Sequence, residues 1–506
     1  MKTQVPITGF EPDNNHSTQG IITDCENLIP TLKGYKTAKY PNDVGMDALA
    51  TECNAAVVAE LLDGTRRLFA GTADKLFERS GTGWVDRSGS VYAATRDAPW
   101  EFAQFGNSTI AATAGSKMQR STGAGFTDLV AIKAKHICAV KGFVIAAGTD
   151  EATYGKQDDR WWCSALNNET DWVPAIATQC TTGRLVDSPG EILAIKPLGQ
   201  DLVAYKDSSI YVGRYAGPPG VWEWRLVPGR VGVASPRSII DIGNAHLFIG
   251  REDIYIFDGN YPRPLESPIK EWLYNRIDKP YMARVTHVYD PYESLVYFFY
   301  AAGTTDGLPN ECIVYNHKSN KFGRYNPLYG TTATDKLFIT GLNFVGKTWD
   351  GWSPGYTWDT LPIVGKTWDD WPPVTYDSHY WNTSERSPAY FAKDNKIYSL
   401  TATPYKAKYE SWHIGMNEEA PSLLRRIRPI YKEITHLAAV PAHTITATVF
   451  GKTMARQEFV KRKTATLQNG KIDVLSAAQW HHFKFDIEGE CEFVGMEIDL
   501  VQSGKR

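Results

Sequence analysis

Helical periodicity is almost absent from this sequence, as are long apolar runs, cysteines at metal-binding spacing and an excess of either charge, and each lack removes a class of function. Only SPIKEWLYNRI (267–277) carries the pattern of an amphipathic helix, opened by a Ser-Pro that suits a cap and a first turn. No stretch approaches a membrane span, and MKTQVPITGFEPDNN lacks the apolar core of a signal peptide, so the expectation is cytoplasmic folding without membrane insertion. The 54 Lys and Arg nearly balance 57 Asp and Glu, for a formal net charge of -3, which leaves no bulk footprint for gripping nucleic acid through its phosphates. The short basic runs RRIR (425–428) and KRK (461–463) lie between strand-like stretches and read as solvated strand faces or subunit contacts.

The seven cysteines, Cys25, Cys53, Cys138, Cys163, Cys180, Cys312 and Cys491, are odd in number and scattered. They read as reduced thiols used as small apolar residues, and exclude a disulfide framework and a Cys-x-x-Cys zinc site. No glycine-rich phosphate loop opens a helix, and neither His-Glu-x-x-His nor Gly-x-Ser-x-Gly occurs. Adjacent His481 and His482 face opposite sides of a strand, so they read as structural rather than as joint metal ligands. No catalytic, cofactor-binding or metal residue is nominated, no cofactor is expected, and the chain reads as a non-enzyme.

What is present is strand: runs of Val, Ile, Tyr and Phe broken at short intervals by Gly, Asp, Asn and Pro, in a chain of 506 residues that is 42% hydrophobic and 12% aromatic. A long internal period decides among all-β architectures. AGTADKLFERSGTGWVD (70–86) aligns with ATAGSKMQRSTGAGFTD (112–128), setting Lys75 over Lys117 and Asp86 over Asp128, and VAYKDSSIYVG (203–213) aligns with FIGREDIYIFDG (248–259). With further strands at FVIAAG (143–148) and SLVYFFY (294–300), the spacing fits four-stranded blades. The predicted fold is therefore all-β: an N-terminal arm (1–40), a β-propeller of undetermined blade number (41–335), a Trp-rich connector (336–386) and a C-terminal β-sandwich-like module (387–506) that closes the propeller or forms a tip or platform.

The connector repeats one phrase, VGKTWDGWSPGYTWDTLPIVGKTWDDW (345–371), and its candidate residues are Trp349, Trp358, Trp368, Asp350, Asp359 and Asp369. A row of indoles suits stacking on sugar rings, which gives a second functional class, a receptor-binding or glycan-degrading propeller of tail-spike or sialidase-like kind. Against a sialidase, the Asp follows the Trp in GKTWD, whereas the Asp-box turn places it before. The favoured reading is structural: each Trp buried in a groove of the propeller, each Asp accepting bonds from turn amides.

GFEPDNNHSTQGIITDCENLIPTLKGYKTA (9–38) resembles the opening of tail nozzle or tail accessory proteins of short-tailed bacteriophages, also called packaged-DNA stabilisation proteins. Similar in the same order are WWCSALNNETDW (161–172), IGREDIYIFDGNYPRPL (249–265), the Trp-Asp units, LLRRIRPI (423–430) and the terminal SGKR (503–506). Asn168-Glu169 departs from the usual Asp-Pro, which bears on local turn geometry. The resemblance implies a propeller-bearing virion protein, assembled in host cytoplasm as a ring, typically a hexamer, below the portal and its adaptor. It would carry fibre, spike or plug proteins, retain the packaged genome and pass double-stranded DNA without reading its sequence.

Overall fold

Short β-branched and aromatic runs separated by tight turns favour narrow antiparallel meanders, and the chain builds one after another. A computed structural model describes residues 2–326, 338–345, 386–404, 406–415, 421–433, 443–454 and 456–502. Blade 1 pairs Ala55–Glu60, Arg66–Gly71, Leu76–Ser80 and Gly83–Asp86 in sequence order. Blade 2 (Glu101–Phe105, Ser108–Thr113, Ser116–Ser121) and blade 3 (Phe143–Glu151, Gly155–Cys163, Thr181–Arg184) share the long strand Thr127–Val140. Its first residues complete blade 2 and its last open blade 3, with a register shift between Lys117 and Gln119 at the changeover.

Blade 4 runs Ile192–Leu198, Asp201–Lys206, Ile210–Gly217 and Val221–Leu226, and blade 5 runs Ile240–Asp241, His246–Ile249, Ile254–Phe257 and Pro262–Pro264. Blade 6 is Thr286–Asp290, Leu295–Tyr300, Glu311–Asn316 and Lys321–Tyr325. The seventh takes three strands from Phe338–Val345, Arg386–Ala392 and Ile397–Pro404 and its outer strand, Lys39–Asp43, from the other end of the chain. First strands of blades 6 and 7, and of 7 and 1, lie side by side, so the ring is closed.

Apolar packing follows the same ring. Phe69 and Phe126 pack edge to face between blades 1 and 2, with ring centroids 5.2 Å apart, and Tyr205 and Phe248 between blades 4 and 5 at the same separation. Phe391 and Ile397 of blade 7 join Leu68 and Ala70 of blade 1 in one buried cluster. Each buried Phe contributes about 2–3 kcal/mol, so every blade is held mainly by the face its neighbour covers.

The aligned repeats occupy equivalent places. Lys75 Nζ lies 2.8 Å from Asp86 Oδ2 in blade 1 and Lys117 Nζ 2.8 Å from Asp128 Oδ2 in blade 2, each tying the head of a third strand to the fourth. The second pair are hairpins between second and third strands, closed by Lys206 N to Ser209 O and Gly250 N to Asp253 O, both 2.9 Å.

Both chain ends build the remaining module, two packed sheets. One orders Gly9–Phe10, Ile21–Glu26, Ala407–Ser411, Trp480–Glu488, Thr444–Lys452 and Val460–Thr466. The other carries Leu28–Pro30, Tyr35–Thr37, Cys491–Gln502, Ser422–Glu433 and Ile472–Ala478, with Lys2–Pro6 on Cys491–Gln502, and continues through Leu28 opposite Arg324 into blade 6. Alternate residues of these strands are buried, the period-2 pattern of a half-covered sheet, and Phe483, Phe485, Phe493 and Met496 fill the interior.

Three expected boundaries move. Residues 1–40 are not a separate arm, because their strands belong to the sandwich up to Tyr35–Thr37 and to the ring from Lys39 onward. The connector (336–386) is entered by a propeller strand, Phe338–Val345, and the C-terminal module begins at Ala407 rather than 387, since Arg386–Ala392 and Ile397–Pro404 are blade 7. Closure comes from Lys39–Asp43, not from the C-terminal module; pairing the first strand of the ring with the last blade removes two exposed edges at once. The helix is Lys270–Arg276, shorter than its amphipathic pattern, and Asp13 accepts from the amides of Glu271 and Trp272 in its first turn. All seven cysteines are free and buried.

Candidate functional site on the propeller axis

Blades that are not neighbours in a ring meet only at its axis, and polar side chains from four blades and from the links between blades meet there. Glu101, opening the first strand of blade 2, accepts from His136 of blade 3 (Nδ1 to Oε1, 3.0 Å) and from Ile137 N (3.2 Å), and Lys196 of blade 4 lies 3.8 Å from its Oε2. Asp97, on the link between blades 1 and 2, pairs with Arg284, on the link between blades 5 and 6, through two bonds of 2.7 and 3.1 Å. Arg96 and Glu52 form a further pair beside them. His287 of blade 6 hydrogen-bonds through Nδ1 to the carbonyl of Arg237, at 2.6 Å, just ahead of blade 5.

Burial would raise the Glu101 carboxyl, but Lys196, His136 and the Ile137 amide outweigh it and hold it at about 2. Burial pushes His287 down to about 4 against the pull of its carbonyl bond. Arg237 is brought down to about 10 by burial and by Arg284, with Asp97, Glu101 and Cys53 opposing. A carboxylate held so low is no general base near neutrality. The nearby thiols are equally inert, Cys138 pushed up to about 12 by burial and Cys53 higher still. Among the described residues no group of three His, Cys, Asp or Glu is arranged to hold a metal ion. The cluster therefore holds fixed charge, and the Asp97–Arg284 pair joins the link between blades 1 and 2 to the link between blades 5 and 6 across the axis.

Trp349, Trp358, Trp368, Asp350, Asp359 and Asp369 lie outside the described residues. His481 and His482 face opposite sides as expected: His481 is fully buried, with Nε2 3.2 Å from Ser422 Oγ, and His482 points toward Glu410, 3.4 Å away. Of the basic runs, Arg426 and Arg428 pair across strands with Asp473 and Glu497 at 2.6 and 2.9 Å, and Lys461, Arg462 and Lys463 stand exposed on an edge strand. At the departure Asn168-Glu169 the turn survives, because Asn168 Oδ1 accepts from Thr170 N at 3.0 Å, the bond an Asp would accept. Sequence reading missed Glu101, Lys196 and Arg237: each blade supplies a different residue type, so no repeat marks them.

No protein-family model matches the chain, and no curated protein matches it in sequence. Among solved structures, it is similar to YCF48 bound to D1 peptide (11% identity, 72% of this chain and 98% of that one, TM-score 0.38). It is also similar to BamB from Moraxella catarrhalis (12%, 80% and 99%, 0.39) and to the WD40 domain of Neurospora crassa Pan2 (8%, 74% and 99%, 0.39). Likeness at this level says nothing of function, and the propeller assignment rests on strand order and ring closure.

Proposed function

We propose that this chain is a structural subunit of a bacteriophage short tail, a nozzle protein whose copies form a ring, a hexamer by resemblance, below the portal and its adaptor. The ring prolongs the DNA channel, retains the packaged genome and conducts it on ejection. One observation supports this reading above others: the residues that carry the resemblance act as joints. Phe10 packs edge to face on Trp272 with centroids 5.3 Å apart, and Asp13 holds the amides of Glu271 and Trp272. Tyr35 Oη accepts from Phe10 N at 2.7 Å and donates to Phe322 O at 2.8 Å, joining the sandwich to blade 6. A signature spent on joints suits an assembly part better than a site.

With the axis of each propeller crossed by ion pairs, DNA passes between subunits, through the lumen of the ring. A chain with a net charge of -3 leaves the duplex free to slide, since affinity for DNA grows with the number of phosphates neutralised. Fibre, spike or plug proteins attach to the same ring, which is a virion component assembled in host cytoplasm. Mixing purified protein with portal and adaptor and measuring mass by light scattering tests this: a closed ring is expected, and a persistent monomer contradicts it. Particles made without the protein should lose their DNA, and retention would count equally against the reading.

A further inference from the structure

On the loop between the third and outer strands of blade 3, Val173, Pro174, Ala175, Ile176 and Ala177 follow one another, all apolar and all exposed, Val173 by 71% and Ile176 by 67%. The loop is firmly held. Trp172 is buried at its base with Nε1 donating to Glu169 O at 2.7 Å, and Asp171 Oδ1 accepts from Val173 N at 3.0 Å. Ala175 N donates to Cys180 O at 3.1 Å, and Tyr215 Oη to Gln179 Oε1 at 2.6 Å. Five apolar residues held out in water contribute nothing to the blade itself and mark a surface that another surface covers.

A matching recess lies on the sandwich. A cavity of about 280 Å³ opens between its two sheets, lined by Val5, Trp412, Ile414, Ile498 and Leu500 and by His413. The His413 ring packs on Phe459, with centroids 4.6 Å apart, and Phe459 leads into the edge strand Val460–Thr466, where Lys461, Arg462 and Lys463 stand exposed with no acid among them. Residues 166–178 of the loop carry Glu169 and Asp171 and no base, and Arg120 takes Glu169. The sandwich joins blade 6 where Leu28 faces Arg324, and blade 7 where Tyr35–Thr37 runs on into Lys39–Asp43. Both blades stand three places from blade 3, the greatest separation in a ring of seven. Loop and cavity thus lie on opposite sides of one chain, and a contact between them joins copies head to tail.

We infer that the Val173–Ala177 loop of one copy docks on the sandwich of the next, Val173 and Ile176 entering the cavity and Asp171 facing the basic edge strand. The inference rests on the ring reading and names the contact that closes the ring.

The test is light scattering of the natural chain and of Ile176→Asp, each mixed with portal and adaptor. Because Ile176 is exposed, the variant should unfold at the natural Tm yet need at least about tenfold more protein to close a ring. Position is read in the same assembly: Ile176→Cys and Thr3→Cys, the latter on the cavity wall, are mixed and treated with a bismaleimide, the seven natural thiols being buried. Links are expected between the two variants and not within either alone. Rings formed equally well by Ile176→Asp overturn the contact and leave the ring reading standing, whereas a natural chain that stays monomeric sinks both. If Ile176→Asp fails to fold, the cross-link decides: rings without a link between the two variants, or with Ile176→Cys linked to itself, overturn the docking.

Discussion

Asp13 and Trp272 stand 259 positions apart and share a 2.8 Å hydrogen bond, Oδ1 accepting from the indole residue's backbone amide. With Oδ2 accepting from Glu271 N at 2.7 Å, a residue of the N-terminal segment caps the helix Lys270–Arg276, which supplies no side-chain cap of its own.

Removing that cap should loosen the joint between sandwich and propeller. Asp13→Ala is expected to cost about 1 kcal/mol, read by chemical denaturation, with faster proteolysis within residues 11–20. Burial raises the Asp13 carboxyl more than the two amides lower it, so oxygen placement matters more than charge. Asp13→Asn keeps one of the two acceptor oxygens and should lose about half as much; equal losses for both variants would show that the cap needs the whole carboxylate.

Two ion pairs of similar geometry should differ widely in worth. Arg67 and Glu78 are buried and joined by two bonds of 2.6 and 2.9 Å, with Arg87 at 2.8 Å on the same carboxylate. Glu78→Gln leaves Arg67 uncompensated in the blade and should cost about 3–5 kcal/mol. Lys117→Ala, which breaks the exposed pair with Asp128, should leave Tm unchanged within error. Comparable shifts in calorimetry would contradict this ordering.

Gly34 lies against the C-terminal strand so closely that a Cβ would sit 1.9 Å from Phe493 O. Gly34→Ala must push apart two backbones and is expected to destabilise by about 2–3 kcal/mol, seen as an earlier transition of the sandwich in urea. Gly45, with open space around it, tolerates the addition sterically, so only its positive φ of 72° opposes it.

Acid should weaken the fold in two stages. His287, His413, His481 and His482 are each held at about 4, chiefly by burial, against 6.5 for an ordinary histidine. Between those values the unfolded chain binds protons that the folded chain refuses, so stability is full above about pH 6.5 and falls as pH drops toward 4, by about 1.4 kcal/mol per pH unit for each proton. Glu101 and Asp86, held at about 2, are shifted in the same downward sense from a lower starting value: their stabilisation is present above the ordinary carboxylate range and is lost as pH falls through it toward 2. A Tm flat from pH 7 to 4.5 would contradict the histidine stage.

Much of the ring could be read beforehand where blades share side chains. Lys75 and Asp86 over Lys117 and Asp128 gave away blades 1 and 2 because a turn and its ion pair recur together. Blade 7 was hidden, since its outer strand, Lys39–Asp43, lies some 350 residues from its pairing partner in Ile397–Pro404 and long-range pairing leaves no local pattern. The axial cluster was hidden for a related reason: Glu101, His136 and Lys196 come from three unlike strands and Arg237 from a turn, and they share one place only when these converge. Asp13 showed as a turn residue, and its role as a cap depends on a helix far along the chain.

Electron microscopy of the chain assembled with portal and adaptor tests the central claim most directly. A closed ring is expected, with its lumen between propellers, each propeller axis blocked at the level of Glu101 and Arg284, and DNA density confined to the lumen. A monomer at the adaptor, or DNA running through the axis of a single propeller, would contradict it.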